Sequence, residues 1–176
     1  MEKLWAPWRI KYIREIIPLE KPKKCIFCHA VESKDDRKNL VLYRGKYAFI
    51  MLNLFPYNSG HLMIAPFRHV ASLEDLLDSE ELDLWKLMKY SVKLLKISLK
   101  PDGFNIGINL GKVAGAGVED HLHIHIVPRW CGDTNFMPVI GNTKVIPEGI
   151  YDTYDYLSKF ISTVFREYEE ESSSYG

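Results

Sequence analysis

His121-Leu122-His123-Ile124-His125-Ile126-Val127 is the stretch that decides how this chain is read. Extended backbone sends successive side chains to opposite faces, so the three histidines share one face while Leu122, Ile124 and Ile126 share the other. An apolar row of that kind needs a core to bury it, and the imidazole row opposite needs a surface or a ligand. Half of the six histidines in the chain fall within these five residues, 121–125. The segment is therefore predicted as a strand, 121–127, packed on one side and lined by three imidazoles on the other.

Working outward, the segment before it, 111–117, is a glycine-bearing loop that can bring backbone N–H groups close to an anion, with Gly115 and Gly117 nearest the histidines. Strands are predicted at 39–43, 47–52, 61–66 and 104–110, with turn residues at Arg44-Gly45 and Pro56-Tyr57-Asn58-Ser59-Gly60. Between the third and fourth lies a long helix. Asp78 and Glu81 have capping-box spacing, Leu84, Met88, Val92, Leu95 and Leu99 form an apolar stripe, and Pro101-Asp102-Gly103 ends it. A last helix is predicted over 153–168, followed by a frayed polar tail. Strands, helix, strands and helix without βαβ alternation give an α+β fold on a mainly antiparallel sheet. The expected organisation is an aromatic and basic arm at 1–24, a domain at 25–140 and a C-terminal extension at 141–176. Trp5, Trp8, Ile10, Tyr12 and Ile13 make the arm a segment expected to pack on the domain or on a partner subunit.

Composition narrows the function. The 176 residues carry 23 Lys+Arg against 23 Asp+Glu, so no basic footprint for nucleic acid exists, although a small anionic ligand needs only a few local donors. No apolar run approaches the roughly 20 residues that cross a bilayer, and the first residues lack the apolar core of a signal peptide. A cytoplasmic protein without a membrane partner is expected. Three cysteines agree with a reducing compartment: Cys25 and Cys28 form a CxxC pair, and Cys131 stands alone. The pair on its own fits half a zinc site, a redox couple or two packed thiols.

For the histidine face three chemistries are open. It can be an outward polar row with no further role, a metal site holding catalytic zinc for hydrolysis, or a nucleophilic histidine flanked by two that orient it and handle protons. Neutral imidazole is already well populated near pH 7 and can attack phosphorus without prior deprotonation. Arg129 and Lys144 can approach the distal phosphates of a long substrate, with a solvated surface as the plainer role for Lys144. Trp130 and Phe136 can stack on a base or close the core. His29 and Cys131 carry no feature that marks them for chemistry.

The pattern His-φ-His-φ-His-φ-φ at 121–127, with φ apolar, resembles the histidine triad (HIT) superfamily, as do Leu52-Asn53-Leu54-Phe55-Pro56-Tyr57-Asn58-Ser59-Gly60-His61 and Pro66-Phe67-Arg68-His69. The resemblance covers roughly residues 25–130. The flanks, Trp5-Ala6-Pro7-Trp8-Arg9 and 128–138, look like the bacterial branch that includes diadenosine tetraphosphate phosphorylases. It implies a five-stranded HIT-like fold and cleavage of a nucleoside phosphate anhydride. His123 would attack the α-phosphorus to form a covalent nucleotidyl-histidine, with His125, His61 and His121 completing the catalytic set and inorganic phosphate or water as second nucleophile. Asn53, Leu54, Asn109, Gly115, Gly117 and Arg129 would contact the nucleotide. It also implies that Cys25, Cys28, His69 and His121 hold a structural Zn²⁺, and that two copies form a homodimer joined sheet edge to sheet edge. Many relatives carry Gln-Ser/Thr-Val before the triad; Gly117-Val118-Glu119-Asp120 stands there in this chain, which leaves phosphate contact to backbone N–H groups or other side chains. His125, where the hexose-1-phosphate transferase and fungal phosphorylase branches usually have Gln, argues against the transferase branch. A hydrolase of the same type and a nucleotide-binding module without turnover are the alternatives.

Overall fold

The computed structural model describes residues 25–173, and the aromatic arm at 1–24 lies outside them. The elements run α1 (Ile26–Glu32), β1 (Val41–Arg44), β2 (Ala48–Leu52), β3 (Leu62–Pro66), α2 (Asp78–Ser98), β4 (Gly103–Ile108), β5 (Ile124–Arg129), α3 (Met137–Ile140) and α4 (Ile150–Ser173). Every strand pairing is antiparallel, in the spatial order β1-β2-β3-β5-β4. The α+β HIT-like sheet expected from the sequence is the observed one.

Alternation along the central strands divides the apolar residues between two layers. Ile50, Leu52, Leu62, Ile64, Ile124 and Ile126 meet Leu84, Leu87, Leu94 and Leu95 of α2 and Leu157, Val164 and Phe165 of α4. Phe49, Met51, Met63 and Ala65 point the other way, into a smaller cluster closed by Phe27 and Ala30 of α1. Burying a side chain of this size contributes about 1.5–3 kcal/mol, so the first layer carries most of the stability. The histidine-bearing face of β5 lies on the thinner side.

The buried face of α2 is wider than the predicted stripe. Leu87, Tyr90, Ser91 and Leu94 are buried alongside Leu84 and Leu95, while Met88, Val92 and Leu99 sit at its edge. Its start is displaced by one residue from the expected capping pair: the Glu80 carboxylate accepts the backbone N–H of Leu77 at 2.9 Å. α4 begins three residues before the predicted start and continues to Ser173, through part of the segment read as a frayed tail. Asp83, buried on α2, accepts the N–H groups of Tyr47 (2.6 Å) and Ala48 (3.0 Å) and the hydroxyl of Tyr168, which ties α2, β2 and α4 together.

Candidate functional site

β5 begins at Ile124, three residues later than the pattern suggests. His121 and Leu122 instead bond to the end of β3 and the chain just beyond it, where His121 Nε2 meets the Pro66 carbonyl (2.9 Å) and the Leu122 N–H meets that of Val70 (2.6 Å). The triad is thereby split. His121 turns toward His69 and the cysteines, whereas His123 and His125 pack edge to face at 4.8 Å, with His61 5.1 Å from His125. Phe27 joins the halves from below, its ring 5.0 Å from that of His121 and 4.8 Å from that of His123.

Backbone groups fix which nitrogen of each imidazole carries its proton. A carbonyl only accepts, so His123 Nδ1, 2.8 Å from the His121 carbonyl, is the protonated nitrogen and Nε2 keeps the lone pair. An amide N–H only donates, so His61 Nδ1, 3.1 Å from the Tyr57 N–H, is an acceptor. His61 Nε2 then donates across 3.0 Å to His125 Nδ1, which leaves His125 with its proton on Nε2. The result is a lone-pair nitrogen on His123 beside an N–H donor on His125. Burial lowers the basicity of all three. His61 is pushed down to about 3 and His125 to about 4, in both cases by burial first and by neighbouring histidines second. His123 is also lowered by burial, against which its bond to the His121 carbonyl acts. His61 and His125 are therefore neutral near pH 7, and burial favours the neutral form of His123 as well.

The loop between β2 and β3 delivers His61. Gly60 has φ +75°, and a Cβ there would come 2.5 Å from Leu99 Cδ1, so the turn just before His61 is closed to any other residue without movement of Leu99. Asn53 stands at the other end of the loop. Its Nδ2 lies 3.4 Å from His61 Nδ1, and its Oδ1 accepts the Phe55 N–H. Leu54 is exposed beside it. Asn109 approaches Gly115, which has φ +94° and ends a short turn over Lys112–Ala114; Gly117 lies in the open. Arg129 bonds to Asp133 and Asn105. Trp130 donates from Nε1 to the Leu99 carbonyl and closes the core end, while Phe136, His29 and Cys131 are exposed.

Sequence reasoning missed Tyr57 and Phe27 as parts of the site. The Tyr57 ring covers His61 at 4.7 Å and lies nearly parallel to His125 at 6.0 Å. Neither residue is a histidine, cysteine or carboxylate of the kind that draws attention; only their place inside the flagged segments marks them.

The other half of the site brings together Cys25, Cys28, His69 and His121, whose ligand atoms all lie within 4.8 Å of one another. Cys25 Sγ is 3.4 Å and Cys28 Sγ 3.7 Å from His121 Nδ1, and Cys28 Sγ is 3.2 Å from His69 Nδ1. Sulfur and nitrogen ligands around a tetrahedral Zn²⁺ stand about 3.6 Å apart given its usual bond lengths. The donor set fits that ion in type, number and spacing. The bond from His121 Nε2 to the Pro66 carbonyl also leaves Nδ1 deprotonated, as a ligand must be. Burial, with the adjoining Cys25, pushes the Cys28 thiol up, a conflict that a shared cation would relieve. Arg68 places the His69 segment through both oxygens of Glu80 and the Asp75 carbonyl.

Neighbouring buried histidines of opposed tautomer beside a Cys₂His₂ cluster, on a five-stranded antiparallel sheet, are the features of a histidine triad protein. The chain belongs to the HIT family, whose domain matches residues 34–131. The AP-4-A phosphorylase of Mycobacterium tuberculosis is 41% identical over 158 residues, 87% of this chain and 80% of that one. The bis(5'-adenosyl)-triphosphatase of Saccharomyces cerevisiae is 38% identical over 91 residues, 51% of this chain and 44% of that protein. Among solved structures, a zinc-bound histidine triad family protein from Mycobacterium smegmatis superposes with TM-score 0.64, at 24% identity over 80% of this chain and 94% of that one, a likeness of fold.

Proposed function

We propose that this chain cleaves the phosphoanhydride of a dinucleoside polyphosphate by phosphorolysis, through a covalent nucleotidyl-histidine. The observation that carries the reading is the pair of opposed tautomers, a lone pair on His123 Nε2 beside a proton on His125 Nε2. His123 Nε2 attacks the α-phosphorus, the bond from that phosphorus to the bridging oxygen breaks, and the departing polyphosphate takes the proton of His125 Nε2. His61, held by the Tyr57 N–H, keeps His125 in the donating tautomer. Inorganic phosphate then attacks the nucleotidyl-histidine and frees His123. Diadenosine tetraphosphate plus phosphate yields ADP plus ATP. Asn53 and Leu54 would meet the ribose and base, and Asn109 with the N–H groups around Gly115 and Gly117 the α-phosphate. Catalysis rests on in-line positioning and on donors aimed at developing phosphoryl charge. The relative from Mycobacterium tuberculosis supports phosphorolysis as the second step.

Cys25, Cys28, His69 and His121 would hold a structural Zn²⁺, which when bound ties α1 to the sheet. The split of the triad speaks for this anchor and against a catalytic metal at His123 and His125, whose bonds run to a carbonyl and to His61. A homodimer would form along β4, an edge strand. Two adjoining hollows of about 640 and 580 Å³ flank it, both lined by the exposed Trp85 and Ile106 and by Met88. Among the described residues no helix is long and apolar enough to cross a membrane, and the balanced charge supports a small-molecule substrate over nucleic acid, in the cytoplasm.

The test is incubation with diadenosine tetraphosphate with and without inorganic phosphate, resolving products by anion exchange. ADP plus ATP formed only with phosphate is the expected result. Equal cleavage in both tubes makes water the second nucleophile, and intact substrate in both leaves a binding module.

A further inference from the structure

The open face of the sheet continues past the histidines. Along β5, His125, Val127 and Arg129 project to one side, and the register sets Gly107 beside His125, Asn105 beside Val127 and Gly103 beside Arg129. Two of those three β4 positions carry no side chain, and a Cβ at either would meet nothing within 4 Å. A floor with a glycine at each end and only Asn105 and the buried Val127 between them therefore runs from His125 to Arg129, a distance of about 13 Å for four extended residues.

At its far end an arginine is held in place. Arg129 donates from Nε and Nη2 to the two oxygens of Asp133 (2.6 and 3.0 Å) and from Nη1 to Asn105 Oδ1 (2.8 Å). The Asp133 side chain is 6% exposed and also accepts from Asn58 Nδ2 (2.8 Å) and the Trp130 N–H (3.3 Å). Asn58, itself buried, donates to the Pro128 carbonyl as well. A buried carboxylate and a buried amide are thus committed to orienting one guanidinium that is 46% exposed. Of its five N–H groups three are used, and one on each Nη makes no bond among the described residues. That free fork has the geometry that grips phosphate oxygens.

We propose that Arg129, steadied by Asn105, binds the departing polyphosphate beyond the scissile bond and so selects substrates by the number of their phosphates. The proposal rests on the reading that His123 attacks the α-phosphorus. A leaving group of one small ester held at His123 and His125 does not extend along the floor, whereas a chain of phosphates does. Arg129 then contributes to the tetraphosphate most, to the triphosphate less, and to a leaving group without phosphate not at all.

The experiment compares kcat/KM for diadenosine tetraphosphate, diadenosine triphosphate and the p-nitrophenyl ester of AMP in the full chain and in Arg129→Met, Arg129→Lys and Asn105→Ala. Arg129→Met is expected to lower the ratio of tetraphosphate to aryl ester by about ten- to a hundredfold, the size of one lost charge-assisted phosphate contact. Arg129→Lys would restore part of it. Asn105→Ala, which leaves the buried Asp133 and Asn58 in place, would lower it three- to tenfold. An unaltered ratio, with all substrates falling together or none falling, makes Arg129 a brace of the β5 end and overturns the proposal. If the unsubstituted chain cleaves the aryl ester but neither dinucleotide, chain-length selection is overturned while the nucleophilic histidine stands; if it cleaves none of the three, the parent reading falls too.

Discussion

His121 and His123 lie two residues apart and enter different chemistry because of what the backbone offers each ring. His121 gives its Nε2 proton to the Pro66 carbonyl and turns Nδ1 to two sulfurs; His123 gives its Nδ1 proton to the carbonyl of His121 and keeps Nε2 free. One carbonyl apiece, on opposite nitrogens, leaves Nδ1 of one imidazole open toward the sulfurs and Nε2 of the other with a free lone pair. The anchor half is built from four residues on three separate segments, the reactive half from one strand and one loop. The first should govern whether the site exists, and the second how fast it works.

Substitutions can separate these halves. The largest effect is expected at His123→Ala, which should lower kcat/KM by about 10⁵-fold or more, as loss of a covalent nucleophile does elsewhere, with nucleotide binding and melting temperature retained. His125→Ala should cost about 10²–10⁴-fold, the usual worth of a positioned proton donor. That loss should be smaller for a p-nitrophenyl leaving group, which needs no proton; equal losses on both substrates would deny His125 the donor role. Cys28→Ser should act in the opposite sense. Bound zinc, counted by elemental analysis, should fall from one per chain to none and the melting temperature should drop. Turnover at a temperature where the variant stays folded should remain within about tenfold, the lower end of what disturbed metal surroundings cost. A variant that is folded, metal-free and inactive would erase the division between the halves.

Acid should weaken the reactive half through its buried rings. Histidine in the unfolded chain takes up protons below its ordinary value of 6.5, while folded His61 and His125 resist until about 3 and about 4. Between those values the unfolded state binds more protons, so stability is complete above pH 6.5 and declines on acidification. The slope is at most about 1.4 kcal/mol per pH unit for each ring. Urea unfolding at pH 7.5, 6 and 5 measures it, and a His61→Asn, His125→Asn variant should flatten the profile. The smallest effect is expected far from both halves: Tyr168→Phe should lose about 1–3 kcal/mol by leaving Asp83 short of a donor, without altering KM.

The five-strand sheet and the long helix were legible because each depends on periodicity and turn residues, whereas the approach of His61 to the triad came only from the resemblance to the histidine triad family. The split of the triad was not. Alternation places 121, 123 and 125 on one face only while the strand is regular, and the bonds of Leu122 to Val70 and of His121 to Pro66 interrupt it. Tautomers were illegible for a similar reason, since they depend on carbonyls and amides that every residue possesses. The role of Asp83 also escaped notice, because a carboxylate on a helix reads as solvated until two strand N–H groups and a tyrosine from the far end of the chain are seen to meet it.

That meeting separates kinship from foldability. The stretch shared with the family ends at residue 131, yet Leu157, Val164, Phe165 and Tyr168 of α4 complete the main core. A truncated chain stopping there would keep every histidine and both cysteines of the CxxC pair. It would also open the apolar side of β1 and α2 to water and leave the Asp83 carboxylate without its hydroxyl partner. The piece that carries the reactive chemistry is therefore not a portable module, and α4 has to travel with it into any fusion, chimera or minimised version.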